Sequence, residues 1–367
     1  MFSKKKDAQD KAIEIACNKS FHRSLVVPAS GDHGPLRVTY ATTRNFENRE
    51  DAATLPTVLF HEGMMASRLM VLSIDHIAET SGVRFIFVDR PGFGGSTAVP
   101  INKRVDVWIE TVPLLLRELG VRHVVLASHS AGIVYLLNTM LRLPHILHPE
   151  RPLVAILAPW VHPKHSDVAL LSVASKLPIP MIGSFGAIQK FIVTNIMPVS
   201  SYSGGVLETV TSAFRNGHPT EDTGEATILA AYGIDKATYE ALEKLQIQYF
   251  FAEDPTGVKD ETLVCLRKSG LGTWGMCEDF ELYVRDLVGR RSAADAAPMR
   301  ILAFFSESDM MIGKGGQRYF EECFRNVDME GGMQFETFTI PGTNHETLVS
   351  PQKEAWGRIL EEIAKSG

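Results

Sequence analysis

Five continuous apolar runs constrain the folding of this chain most: Thr57-Val58-Leu59-Phe60, Arg84-Phe85-Ile86-Phe87-Val88, His123-Val124-Val125-Leu126-Ala127-Ser128, Leu153-Val154-Ala155-Ile156-Leu157-Ala158 and Arg300-Ile301-Leu302-Ala303-Phe304-Phe305. Each is strand-length, and none alternates apolar with polar residues, so each is expected to be covered on both faces. They predict strands over Thr57–His61, Arg84–Asp89, His123–Ser128, Leu153–Ala158 and Arg300–Phe305. Further strands are expected over Phe21–Ala29, Leu36–Thr42 and Gln334–Ile340. The turn signal Ser30-Gly31-Asp32-His33-Gly34 predicts a hairpin between the first two. Helical periodicity fills the gaps at about 66–81, 104–119, 131–143, 314–327 and 351–365. Strand and helix taking turns predicts βαβ units and an α/β fold on a mostly parallel sheet.

One stretch breaks this rhythm. From Val161 to Pro298 the only strand-like run is the ambiguous Ile247–Ala252. Helical patterns occupy Asp167–Lys176, Ala187–Ile196, Gly205–Asn216, Glu225–Tyr232, Ala237–Leu245, Glu261–Lys268 and Asp279–Leu287. Pro178, Pro180 and Pro198 divide it, and Gly204-Gly205 makes a flexible joint. It is far too long for a connecting loop. The alternation resumes directly afterwards, so a helical insertion is preferred over a second independent domain. The expected division is a helical N-terminal tail over 1–20, a core over 21–160 and 298–367, and the insertion over 161–297.

Composition narrows the function classes. A net charge of −6 disfavours nucleic acid as a partner, because phosphate binding needs a clustered basic face. The one basic run, Lys4-Lys5-Lys6, reads as a solvated tail. The four cysteines, Cys17, Cys265, Cys277 and Cys323, include no C-x-x-C pair, which fits reduced thiols rather than a disulfide scaffold or zinc ribbon. Residues 7–20 are polar and mixed, unlike a secretory signal, and the chain has no apolar run of about 18 residues. A cytoplasmic protein without a membrane span is expected, as a monomer or homodimer. His145-x-x-His148 and His162-x-x-His165 stand beside prolines and are read as surface or packing residues, so no metal is expected.

The chemistry centres on Val124-Val125-Leu126-Ala127-Ser128-His129-Ser130-Ala131-Gly132-Ile133. An apolar strand runs into small-x-Ser-x-small and then into a helix, the pattern of a nucleophile elbow. Such a turn exposes the serine hydroxyl at its tip and aims the positive end of the following helix at the reaction centre. Ser128 stands where glycine is commonest, while Gly132 is kept.

Two other segments carry a family resemblance. Thr57-Val58-Leu59-Phe60-His61-Glu62-Gly63-Met64 is a strand ending in a His/Gly turn, and Asp89-Arg90-Pro91-Gly92-Phe93-Gly94-Gly95-Ser96 is a D-R-P-G-x-G-x-S segment. With the elbow, these make the chain resemble the α/β-hydrolase superfamily, of the serine-hydrolase type with a helical cap. The overall character of the cap suggests a fungal source. The resemblance implies a mostly parallel sheet of about eight strands flanked by helices. It also implies an oxyanion hole made by the backbone N–H of Ala131 and that of Met64 or Gly63. Glu62, wedged into the turn, reads as an exposed or locally bonded turn residue, or as a polar group in the pocket. Asp89 and Arg90 read as structural.

The family's chain order is serine, acid, histidine. It implies His345, in Pro341-Gly342-Thr343-Asn344-His345 before the last helix, as the base for Ser130. The orienting acid is then Asp309, with Glu307 a near competitor and Asp167 at a rarer alternative place. His129 belongs to the elbow and is expected to be buried beside it. The implied activity is hydrolysis of an ester, thioester or related acyl bond of a small apolar substrate through an acyl-enzyme, with no metal or organic cofactor. Met65, His129, Trp160, Met310 and Trp274 are candidate substrate contacts, as are Met64 and Met311. Alternatives on the same machinery are C–C cleavage, acyl transfer, or condensation and cyclisation of a polyketide-like intermediate, as in secondary metabolism. A ligand-binding receptor or a pseudoenzyme is the alternative of another class.

Overall fold

In a computed structural model of the chain, the described residues are 2–47, 52–176, 178–179, 224–254, 256–268, 270, 273–293, 297–329 and 331–365. The strands are β1 (Arg23–Val27), β2 (Leu36–Thr42), β3 (Thr57–His61), β4 (Arg84–Val88), β5 (Val125–His129), β6 (Leu153–Leu157), β7 (Met299–Ser308) and β8 (Met333–Asn344). They form one eight-stranded sheet in the order β1-β2-β4-β3-β5-β6-β7-β8. The β1–β2 hairpin and the β2–β4 pair are antiparallel, and the remaining pairs are parallel.

The helices of the described residues are α1 (Phe2–Ala16), α2 (Val71–Ser81), α3 (Arg104–Glu118), α4 (Ile133–Arg142), α5 (Ala169–Ala174), α6 (Glu225–Tyr232), α7 (Lys236–Ala252), α8 (Thr256–Cys265), α9 (Phe280–Ala293), α10 (Gly313–Arg325) and α11 (Glu354–Lys365). The strand-like run Ile247–Ala252 is helical, as the last turns of α7. That helix starts where Asp235 accepts the Thr238 N–H as its N-cap, and no turn signal interrupts it before Ala252. The expected helices Ala187–Ile196 and Gly205–Asn216 lie outside the described residues, as do Pro180, Pro198 and Gly204-Gly205.

The continuous apolar runs follow from burial on both faces. Every residue of β3, β4 and β6 is buried. Successive side chains leave a strand on opposite sides. Leu59, Ile86, Val88, Leu126 and Ile156 pack on one side with Trp108, Leu115 and Leu136 of α3 and α4. Val58, Phe60, Phe85, Phe87 and Ala155 pack on the other with α2 and α11. Trp356, Ile359 and Ile363 are fully buried on α11, at helical spacing, and each contributes roughly 1.5–3 kcal/mol by leaving water.

The N-terminal segment is more than a solvated tail. Ala8, Ala12 and Ala16 are buried along one face of α1, and Ala12 and Ala16 share a cluster with Leu242 and Leu245 of α7. A face of alanines lets two helices approach closely.

Two ionic groups fix the helices between β6 and β7 to the core. Arg68 is buried between Asp89 and Glu253, 2.6 Å from each. Deeper, Glu261 of α8 accepts from Arg104 at 2.6 Å and from the Tyr135 hydroxyl, with Arg90 3.7 Å away. Burial would neutralise the Glu261 carboxyl, but Arg90 and Arg104 outweigh it and hold its pKa below the usual value. At the start of α8 the Gly257 N–H donates to the Gly92 carbonyl at 2.8 Å, and a Cβ on Gly257 would stand 2.4 Å from the Phe93 ring. Removing one partner of a buried ion pair strands the other charge and costs about 3–5 kcal/mol. Glu261→Gln should therefore lower unfolding free energy by several kcal/mol in urea denaturation. A loss below about 1 kcal/mol would contradict this account of α8.

Candidate active site

β5 delivers its last residue, His129, into a turn whose next residue is Ser130 at φ 51°. A serine in the left-handed region is strained by on the order of 1–3 kcal/mol, so the surrounding packing must hold it there. Gly132 shows how tight that packing is. A Cβ there would stand 2.1 Å from the His61 carbonyl oxygen at the end of β3. The Trp160 N–H donates to the Ser130 carbonyl at 3.1 Å and ties the turn to the segment after β6. Helix α4 begins at Ile133, so its N-terminus faces the serine. The Ser128 hydroxyl is buried without a hydrogen-bond partner among the described residues.

His345 directly follows β8, and Asp309 follows β7, its parallel neighbour. The His345 Nε2 is 2.9 Å from Ser130 Oγ, and its Nδ1 donates to Asp309 Oδ2 at 2.9 Å. The aspartate is held in turn by the N–H groups of Met311 and Ile312, at 2.8 and 2.9 Å. Burial opposes the Asp309 charge, but His345 and these N–H groups outweigh it and hold the carboxyl well below the usual range. Burial likewise opposes charge on His345, yet the Asp309 carboxylate raises its pKa above the usual value. The two competing acids are occupied elsewhere. Glu307 accepts the Gly342 N–H at 2.9 Å and braces the loop before His345. Asp167 packs against the start of α10, where a Cβ on Gly313 would stand 2.0 Å from its Oδ1.

Gly63 and Met64 line the cavity across from Ala131. Their backbone N–H groups donate to no acceptor among the described residues. The turn is held from behind, where Arg90 donates to the Gly63 carbonyl at 2.5 Å. Asp89, also expected to be structural, accepts from the Arg68 N–H at 2.8 Å and from Thr39 Oγ1 at 2.6 Å. Glu62 is neither exposed nor in the cavity wall. It is buried and turned toward β4, where Oε1 accepts the Val88 N–H at 3.1 Å and Oε2 has no partner among the described residues. Burial, only partly offset by Arg90, pushes its carboxyl up to about 8.

The cavity over Ser130 has a volume of ≈ 70 Å³ and is walled chiefly by Met64, Met65, Met70, Trp160, Met311 and Val349. Two expected contacts are not in that wall. Met310 points to solvent at 58% exposure, because the Asp309 carboxylate grips the next two N–H groups and turns Met311 inward instead. Trp274 is buried beneath the wall; its indole N–H donates to the Val264 carbonyl at 2.8 Å, and the Arg267 guanidinium covers its ring. His129 is buried, with Nε2 3.0 Å from the His345 carbonyl. Glu346 also lines the cavity. Its place directly after His345 was the one signal that could have found it.

By sequence, no protein-family model matches the chain, and neither does any curated protein. By structure, the chain is similar to a bromoperoxidase from Bacillus anthracis at 14% identity and a TM-score of 0.56, over 94% of this chain and 99% of that one. The fold is that of the α/β-hydrolase superfamily. A thermophilic esterase from Thermogutta terrifontis aligns over 94% of this chain and 97% of its own, at 15% identity and a TM-score of 0.52. A carboxylesterase from Bacillus subtilis aligns over 100% of this chain and 98% of its own, at 12% identity and a TM-score of 0.51. At these identities the likeness is one of α/β-hydrolase architecture. No helix of the described residues is long and apolar enough to cross a membrane.

The Glu62 carboxyl gives a test of the packing behind the turn. Folded, it keeps its proton up to about pH 8; unfolded, only to about 4.5. The folded state therefore binds more protons between those values, and stability falls as pH rises across that window, by at most about 1.4 kcal/mol per pH unit. Denaturation midpoints measured from pH 5 to 8 should decline less steeply for Glu62→Gln than for the unsubstituted chain. Parallel profiles would rule out a buried neutral Glu62.

Proposed function

We propose that the protein is a serine hydrolase that cleaves an ester, thioester or related acyl bond of a small apolar substrate. The unbroken hydrogen-bond chain Ser130–His345–Asp309, with the serine held at positive φ, carries this reading. Two of the similar structures are an esterase and a carboxylesterase, and the reaction class is drawn from them. The apolar cavity wall supports an apolar acyl group.

In this mechanism Ser130 Oγ attacks the acyl carbon while its proton passes to His345 Nε2. The carbonyl π electrons move to oxygen, which is held by the N–H groups of Ala131 and Met64, or of Gly63 in place of Met64. Collapse breaks the bond to the leaving group, which takes the proton from His345. Water then repeats the cycle on the acyl-serine and frees the acid. Asp309 stays ionised throughout, fixing the imidazole tautomer and stabilising imidazolium. Segment 161–297 acts as the cap over a core of 21–160 and 298–367. The approach of Cys265 at the end of α8 to the cavity supports that division.

Turnover of p-nitrophenyl esters of graded acyl length tests the reading. Asp309→Asn should lower kcat by about 10⁴-fold and Ser130→Ala by about 10⁶-fold. His345 must be neutral to accept the proton, so kcat/KM should rise with pH to a plateau. The midpoint should lie above the ordinary histidine value of 6.5 and fall in Asp309→Asn. Retained turnover in Ser130→Ala would reject the mechanism.

A further inference from the structure

Three polar side chains converge over Ser130, and acyl transfer uses only one of them. His129, His345 and Glu346 each offer a ligand atom, and these atoms all lie within 4.8 Å of one another. All three line the cavity, and the two histidines are buried.

The hydrogen bonds set which nitrogen each ring offers. The His129 Nε2 faces the His345 carbonyl at 3.0 Å. A carbonyl can only accept, so that nitrogen carries the proton and the Nδ1 lone pair is free. It lies beside Gly63, where a Cβ would stand 2.9 Å from it. The His345 Nδ1 faces the Asp309 carboxylate at 2.9 Å and carries the proton there, so the Nε2 lone pair points into the cavity toward Ser130. Both imidazoles thus present an oriented lone pair, each fixed by an oxygen acceptor on its far side. Histidine ligands of zinc are held in the same way. No hydrogen bond engages the Glu346 carboxylate among the described residues, which leaves it free to supply the third donor and a negative charge.

We propose that His129 Nδ1, His345 Nε2 and Glu346 form an inhibitory site for a divalent transition-metal ion, with Zn²⁺ the best match. Two imidazoles and a carboxylate suit zinc, and a fourth position remains for water. Ligand atoms about 2.0–2.2 Å from a tetrahedral ion are roughly 3.4 Å apart. One ligand atom of each residue already lies within 4.8 Å of the others, so the set closes on an ion through side-chain shifts of about 1–1.5 Å. The inhibitory consequence rests on the serine-hydrolase reading: a His345 Nε2 bound to metal cannot accept the Ser130 proton. Sequence spacing could not reveal the set, since His129 and His345 are brought together only by the parallel sheet.

Calorimetric titration of the full chain with ZnCl₂ tests the site, with fluorophosphonate labelling of Ser130 followed in parallel. One ion per chain is expected. Glu346→Gln and His129→Asn should each weaken binding at least tenfold, whereas His123→Ala, at the half-buried His123–His148 pair, should leave it unchanged. Zinc should slow labelling of the unsubstituted protein at least tenfold, and chelation should restore it. Absence of binding, equal binding by the Glu346 and His129 variants, or loss of binding in His123→Ala would overturn the site. Site-dependent binding that leaves labelling unchanged would overturn its inhibitory role. If Ser130 does not label even without zinc, the serine reading fails, and the titration still decides the metal site.

Discussion

The end of β3 and the elbow after β5 approach so closely that a Cβ on Gly132 would stand 2.1 Å from the His61 carbonyl oxygen. Much of the site depends on that approach. It brings the Gly63–Met64 turn opposite Ala131, so two stretches of backbone face one cavity. The same packing gives Ser130 no relaxed alternative to its positive φ. Parallel pairing of β7 with β8 supplies the rest. Asp309 and His345 leave the same edge of the sheet one after the other, so their side chains meet although 36 residues separate them.

Around this centre the charges are arranged in layers. Arg90 donates to the Gly63 carbonyl on one side and faces Glu261 of α8 on the other. It therefore links the turn beside the serine to the helices between β6 and β7. Arg68 makes a second link, from Asp89 to Glu253. Charges buried this deeply are tolerated only in near-complete mutual satisfaction. Arg90 is thus the one guanidinium among the described residues that faces both α8 and the Gly63 backbone.

The parts of this arrangement legible in the sequence are those written locally. Strands Leu36–Thr42 and Thr57–His61 have the expected bounds, and α6 spans the expected Glu225–Tyr232. Ser130, Asp309 and His345 each stand in a short motif at the end of a strand, so their types and places could be read before any contact was known. What could not be read depends on distant partners. Arg104 and Glu261 meet across 157 residues with no periodicity to mark them. The inward turn of Met311 and outward turn of Met310 follow from the Asp309 hydrogen bonds, which identical neighbouring residue types conceal. Glu62 reads as an exposed or locally bonded turn residue, or as a pocket group, because a carboxyl buried against the neighbouring strand has no sequence signature.

The central claim is that Ser130 is an activated nucleophile. Intact-protein mass after fluorophosphonate treatment, for the unsubstituted chain and Ser130→Ala side by side, tests it most directly. The account predicts one phosphonyl adduct on the first, mapping to Ser130, and none on the second. Absence of an adduct on the metal-free unsubstituted chain, or an equal adduct on both, would contradict it.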